Sequence, residues 1–222
     1  RPGAGYPRAR SCLRDRAAEI HRRQGDHASL PYDLTNRADL LIRLNRRQDA
    51  DAMLAEVERG IAAGLESFKA RTRRTVFLRA FEAVTALRCD EALPRLHQLG
   101  RDKAASDMGT ILGPALIAFC APRVADAPQA PVSDAAPARE RQYWFAAAAL
   151  RRADRARALA EAVKGLDLLD TRSNDELRWR LATIAAAAAR QLFDPSAADQ
   201  FTCTALEAYG RLRLAYRTDF AT

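Results

Sequence analysis

Small residues recur in this chain at a spacing that suits packed helices. Leu34-x3-Ala38-x2-Leu41 is followed by Ala50-x3-Leu54-x2-Val57. The same pattern returns further on, where Val76-x3-Ala80-x2-Ala83 is followed by Ala92-x3-Leu96-x2-Leu99. The shift from Leu34 to Val76 equals the shift from Ala50 to Ala92, so the two copies are in register. Steps of three and four place each set on one helix face. A weaker third copy reads Phe145-Ala146-x2-Ala149, then Ala158-x3-Ala162. Each copy contains two alanines at one constant separation: Ala38 with Ala50, Ala80 with Ala92, Ala146 with Ala158. Side chains that small let two helix axes approach closely across a tight turn.

Composition agrees with helices. The 222 residues include 48 alanines and 26 leucines, against six valines and six isoleucines. Ala and Leu favour helix, and the scarce β-branched residues favour strand. No segment alternates with period two, so the expected fold class is all-α. Such a chain is long enough to bury a core unaided. Predicted helices cover about 8–24, 31–44, 50–64, 67–87, 90–100, 105–120, 143–150, 156–169, 174–192 and 195–216. Ser67 and Ser173 or Asn174 read as N-caps, and Asp194-Pro195 as an N-cap with proline in the first turn. Gly109, Gly113 and Pro114 weaken the helix over 105–120.

The expected organisation has four parts. Residues 1–7, with two prolines and two glycines, form an irregular arm. Residues 8–120 are helical repeats, 121–138 a Pro/Ala-rich linker, and 139–222 a second block of helix pairs. The linker holds Pro122, Pro128, Pro131 and Pro137, and few large apolar residues. The chain opens Arg1-Pro2-Gly3 without an initiator Met, so it reads as an excerpt of a larger, bacterial protein.

Net charge is +8, and seven arginines fall within residues 1–23. A basic arm of this kind can meet nucleic acid or an acidic partner. Further basic clusters are Arg10 with Arg14, then Lys69, Arg71, Arg73 and Arg74, then Arg151, Arg152, Arg155 and Arg157. Solvated helix faces account for most such clusters. No stretch approaches 18 charge-free apolar residues, so no transmembrane helix is expected. Cys12, Cys89, Cys120 and Cys203 lie far apart, which fits reduced, mostly buried thiols in a cytoplasmic protein better than a zinc site.

Catalytic and ligand motifs are missing. Gly109-x3-Gly113 lacks the Lys-Ser/Thr of a phosphate loop, and no Gly-x-Ser-x-Gly or His-Glu-x-x-His occurs. His21 and His27 are placed at a helix end and in a turn, and His97 on a helix surface. Asp90-Glu91 and Asp175-Glu176 open helices, where negative charge suits the dipole. Trp144 and Trp179 are assigned to packing. No enzyme, cofactor or metal is expected.

The paired alanines and the helix–turn–helix spacing resemble the tetratricopeptide repeat, which places small residues at these two positions. Asp90-Glu91-Ala92 matches that family's usual start to a second helix. Arg37 and Arg79 stand where the family carries an aromatic residue or leucine. The step from Leu34 to Val76 is also longer than the family's usual period of about 34 residues. The resemblance implies an α-solenoid whose first helices line a groove for a protein or peptide partner, acting as scaffold or sensor. The groove positions would be Tyr32, Thr35, Asn36, Asp39 and Arg43, then Arg74, Phe77, Phe81 and Thr85. Thr35 and Asp39 replace the Lys and Asn that clamp a terminal carboxylate in one subclass, which argues against that ligand. Oligomers are allowed, because an open array leaves end faces uncovered. A helical nucleic-acid binder using the basic N-terminal arm is the alternative.

Overall fold

The computed structural model describes residues 17–101, 108–121, 136–169 and 174–215. The irregular arm, Arg10, Arg14 and most of the 121–138 segment lie outside the described residues. Every regular element among the described residues is a helix, so the all-α expectation holds. The order is α1 (residues 17–24), α2 (Leu30–Arg43), α3 (Arg47–Ala62), α4 (Glu66–Lys69), α5 (Thr72–Thr85) and α6 (Cys89–Arg101). There follow α7 (Met108–Cys120), α8 (Ala136–Arg151), α9 (Arg155–Asp167), α10 (Asp175–Gln191) and α11 (Pro195–Ala215).

The chain divides into two compact units, Arg1–Lys103 and Ala104–Thr222. In the first, α2 packs on α3, α5 on α6, and α5 also on α2 and α3. In the second, α7 packs on α8, α8 on α9, α9 on α10 and α10 on α11. The division therefore falls ahead of α7, not in the proline-rich segment. Helix α7 belongs with α8, on which it packs, and its Leu112, Ala115 and Leu116 are buried.

Four helix pairs close in the same way. Asn45, Leu87, Ala153 and Phe193 all take left-handed backbone conformations, with φ of 59°, 62°, 59° and 59°. The N–H that follows each of them donates to a carbonyl in the last helical turn: Arg46 to Leu41, Arg88 to Ala83, Asp154 to Ala149 and Asp194 to Ala189, at 2.8–3.1 Å. This is the Schellman helix stop, which satisfies carbonyls that would otherwise lack donors. None of the four is the glycine that usually fills this position. A side chain there costs about 1 kcal/mol.

A buried alanine precedes each stop on the first helix, and another follows it on the second, always at the same two positions. They are Ala38 and Ala50, Ala80 and Ala92, Ala146 and Ala158, Ala186 and Ala198. All are at most 5% exposed. The fourth pair emerges only from the structure; the sequence pattern there shows paired helices and no more. Helix α5 follows α2 at the same interval as α6 follows α3, from Leu30 to Thr72 and from Arg47 to Cys89.

Several local expectations change. Ser67 does not cap a long helix. It sits inside α4, where its hydroxyl donates to the His27 carbonyl at 2.6 Å. The chain turns at Ala70 and Arg71 before α5, so that Phe68 can enter the core beside Leu30, Leu34 and Val57. Helix α8 starts at Ala136, ahead of the expected Tyr143. Pro137 falls in its first turn, where a missing N–H is harmless. Helix α7 runs through Gly113-Pro114, held by burial of its neighbours. Asn174 caps α10, accepting from the Leu177 N–H at 3.1 Å, and Asp194 caps α11, accepting from Ala197 at 3.0 Å.

The thiol expectation fails at two positions. Neither Cys89 nor Cys120 is a reduced thiol, and Cys203 is an exposed thiol on α11. The argument for a cytoplasmic setting drawn from reduced cysteines fails with it. No helix among the described residues is long and apolar enough to cross a membrane.

Close approach also fixes Gly60. A β-carbon there would lie 2.2 Å from Cδ1 of Phe68, which is buried. Exchanging Gly for Ala in a helix normally gains about 1 kcal/mol. Overpacking a filled core costs about 1–3 kcal/mol. The clash is severe, so Gly60→Ala is expected to lower the urea midpoint by the equivalent of roughly 1 kcal/mol net. An unchanged or higher midpoint would show that Phe68 moves aside freely.

Candidate functional site

The expected groove residues lie on α2 and α5 of the first unit, and most of them touch one another. Tyr32, Asn36, Asp39 and Arg43 follow one another at steps of three and four along α2, as a single helix face requires. Arg74, Phe77, Phe81 and Thr85 do the same along α5. The two helices pack side by side, so the two rows meet.

Asp39 is the link. It accepts from Arg43 Nε at 2.9 Å on its own helix and from Arg74 Nη2 at 2.6 Å on α5. Each guanidinium then covers an aromatic ring. Arg43 lies 5.2 Å from the Phe81 centroid, and Arg74 lies 5.4 Å from that of Phe77. The rings themselves stack, with centroids 5.8 Å apart and planes 10° from parallel. A cation over a ring face is attracted to its π electrons, most strongly where water is scarce. The result is a charged surface laid over an aromatic floor.

Tyr32 extends this strip by one turn. It is 51% exposed, and the Arg71 guanidinium lies 4.6 Å from its ring centroid. Asn36 is half-buried beside it. Three expected groove residues do not present a surface. Thr35 is buried, and its hydroxyl donates to the Pro31 carbonyl at 2.9 Å. Phe77 and Phe81 are buried as the floor. Thr85 is half-buried; its hydroxyl donates to the Glu82 carbonyl, and its own carbonyl accepts from Arg47 at 3.1 Å.

A second depression lies on the other side of α5, among α3, α5 and α6. Its volume is about 670 Å³, and four arginines, four carboxylates and Gln48 line it. Arg79 is its centre. It binds Asp51 and holds Glu58 through Nε at 2.8 Å and Nη2 at 2.7 Å. Those hydrogen bonds, Glu58 foremost and Asp51 after it, raise the pKa of Arg79 further, against the cost of burial. Arg88 holds Glu82 at 2.5 Å and Glu91 at 3.2 Å. This arrangement ties α5 to α3 by charge. Its positive and negative groups balance, so the depression has no strong preference for either sign of ligand.

The remaining candidates fall into place as structure. His21 Nδ1 lies 2.7 Å from Asp33 Oδ2, joining α1 to α2, and His97 is exposed. His27 lies in the turn before α2. Trp144 is buried against Phe119, and Trp179 packs on Tyr209 at 5.5 Å. Burial is the first cause that raises the Tyr143 pKa, against the nearby Arg180 charge. Among the described residues no three His, Cys, Asp or Glu groups gather closely enough to hold a metal.

Sequence reasoning missed the pairing of Arg71 with Tyr32. The two positions are remote in the chain, and only the packing of α5 on α2 brings them together. The periodicity did contain a sign that Phe77 and Phe81 are interior, since they belong to a broad apolar stripe.

Compared with known proteins, the chain matches no family model, no curated protein and no solved structure. Its class is that of an all-α protein of packed helix pairs, four of them closed by a common turn. The likeness to tetratricopeptide repeats rests on the residues of those pairs.

Because Asp39 serves two cations, its loss should be felt on both helices. All three side chains are less than a third exposed. Asp39→Ala is expected to lower unfolding stability by about 1 kcal/mol in urea titration, above the usual surface ion pair's few tenths. An unchanged midpoint would mean that the two arginines are held by the rings alone.

Proposed function

We propose that this chain is a tetratricopeptide-like interaction module, a scaffold or sensor that receives an extended partner segment along the α2/α5 strip. The observation that carries this reading is the Asp39 bridge with its aromatic floor. It ties Arg43 to Arg74, and Tyr32 and Asn36 continue the same face of α2, on two helices that occupy equivalent places in successive pairs. The helix–turn–helix offset and the paired alanines support the family resemblance. Partially exposed polar groups on a rigid pair of helices suit recognition of an extended backbone and its side chains.

The chemistry of the strip narrows the partner. Along it three arginines, Arg43, Arg71 and Arg74, stand against one carboxylate, Asp39, so a segment carrying acidic side chains complements it. Tyr32 offers the amphipathic ring that interfaces favour.

The test is selection of binders from a random peptide display library, followed by hydrogen exchange on the full chain with the selected peptides. Slowed exchange in α2 and α5, lost with Tyr32→Ala/Asn36→Ala, is the expected result. Both substitutions lie off the buried core, so the fold should persist. Protection confined to α3 and α6, or insensitivity to the double variant, would contradict the placement.

A further inference from the structure

The second unit presents an edge that the α2/α5 strip does not use. Two helix turns lie side by side there, the α8–α9 turn and the α10–α11 turn. Arg155 Nε joins them by donating to Gln191 Oε1 at 3.0 Å. Arg152, Arg155 and Arg157 gather at the first turn, and Arg190 stands one helical turn before Phe193 at the second. The two carboxylates at the turns also serve as helix caps. Asp154 accepts from the Arg157 N–H and Asp194 from the Ala197 N–H, each as a helix cap. Arg152 reaches the Ala121 carbonyl at 3.4 Å, Arg190 the Thr202 hydroxyl at 2.9 Å, and Arg157 lies 4.0 Å from Glu161. In the first unit, by contrast, Arg22, Arg74, Arg79 and Arg88 are each held by a carboxylate within 2.7 Å. Burial lowers the Arg152 pKa first, and the Arg157 and Arg151 charges lower it further, against the charge of Asp154.

Phe193 completes the edge. Its ring is 92% exposed, and its backbone has φ of 59°, a conformation that favours glycine. The ring does little for the fold and stands where a smaller residue would fold better. A bare aromatic face on the same edge as the exposed Arg155, Arg157 and Arg190 and the half-buried Arg152 is the pair of features that single-stranded nucleic acid uses: a base stacks on the ring, and flanking phosphates meet the cations.

We infer that the α8–α9 and α10–α11 turns of the second unit form a binding edge for single-stranded nucleic acid, with Phe193 as the stacking platform and Arg152, Arg155, Arg157 and Arg190 as phosphate contacts. Seating the same tip in an anionic bilayer fits less well. Asp194 follows Phe193 directly and caps α11, so burying the ring in lipid would carry a carboxylate toward the anionic surface. Stacking a base leaves Asp194 in water.

The test is fluorescence anisotropy of labelled 20-nucleotide dT and rU strands with the full chain at two salt concentrations. A duplex of equal length and vesicles containing phosphatidylserine serve as competitors. The expected result is binding that weakens steeply with salt. Phe193→Gly should weaken it at least about fivefold, the low end for one stacked base. Arg155→Gln/Arg157→Gln should flatten the salt dependence. Phe193→Gly relieves the left-handed backbone, so its loss of binding would not come from unfolding. Leu87→Gly, at the matching turn of the first unit, should leave binding unchanged. No binding at low salt, equal binding by Phe193→Gly, preference for the duplex, or competition only by vesicles would each overturn the proposal.

Discussion

The structure depends on how closely two helices can approach beside a left-handed turn. At each of four turns, one alanine precedes and one follows, and all eight are buried. A larger side chain at any of these positions would hold the axes apart. The turn costs backbone strain in every copy, because none of the four uses glycine. Interhelical packing must offset that strain, and the alanines make such packing available. Gly60 and Gly165 repeat the principle. A β-carbon on Gly165 would lie 2.9 Å from Leu181.

Much of this was legible in the sequence. The alanine pairs about Asn45, Leu87 and Ala153 could be read directly, because steps of three and four on either side of a polar turn leave few other solutions. The pair about Phe193 was hidden, since α10 contains a run of five alanines and periodicity cannot choose among them. The ends of helices were less legible. Pro137 opens α8 and Pro114 lies within α7, although both look like breaks when read alone. What decides is burial against other helices, which local spacing does not report. The unit boundary ahead of α7 is a long-range property of the same kind.

The α2/α5 strip was legible in part. The family resemblance selected two helix faces that form a contiguous row, but it could not tell floor from surface. Phe77 and Phe81 face inward because α5 is packed by α2, α3 and α6 together. Arg43 and Arg74 then cover them, and Asp39 keeps the cations in place. Arg79 shows the same economy on the opposite side, where ion pairs to Asp51 and Glu58 tie α5 to α3. Charge in the first unit is thus largely consumed internally. At the turn edge of the second unit the arginines meet a carbonyl, an amide, a hydroxyl and, in Arg157, a carboxylate at 4.0 Å, and Arg155, Arg157 and Arg190 are exposed.

The claim that buried alanines set the helix spacing can be tested within one helix. Ala156 and Ala158 both lie near the start of α9; the first is exposed and the second fully buried beside the Ala153 turn. The measurement is the urea unfolding free energy of Ala158→Leu against Ala156→Leu. Helix propensity changes equally in both, so the difference isolates packing. The account predicts a loss of about 1–3 kcal/mol at position 158 and almost none at 156. Equal effects at the two positions would contradict it.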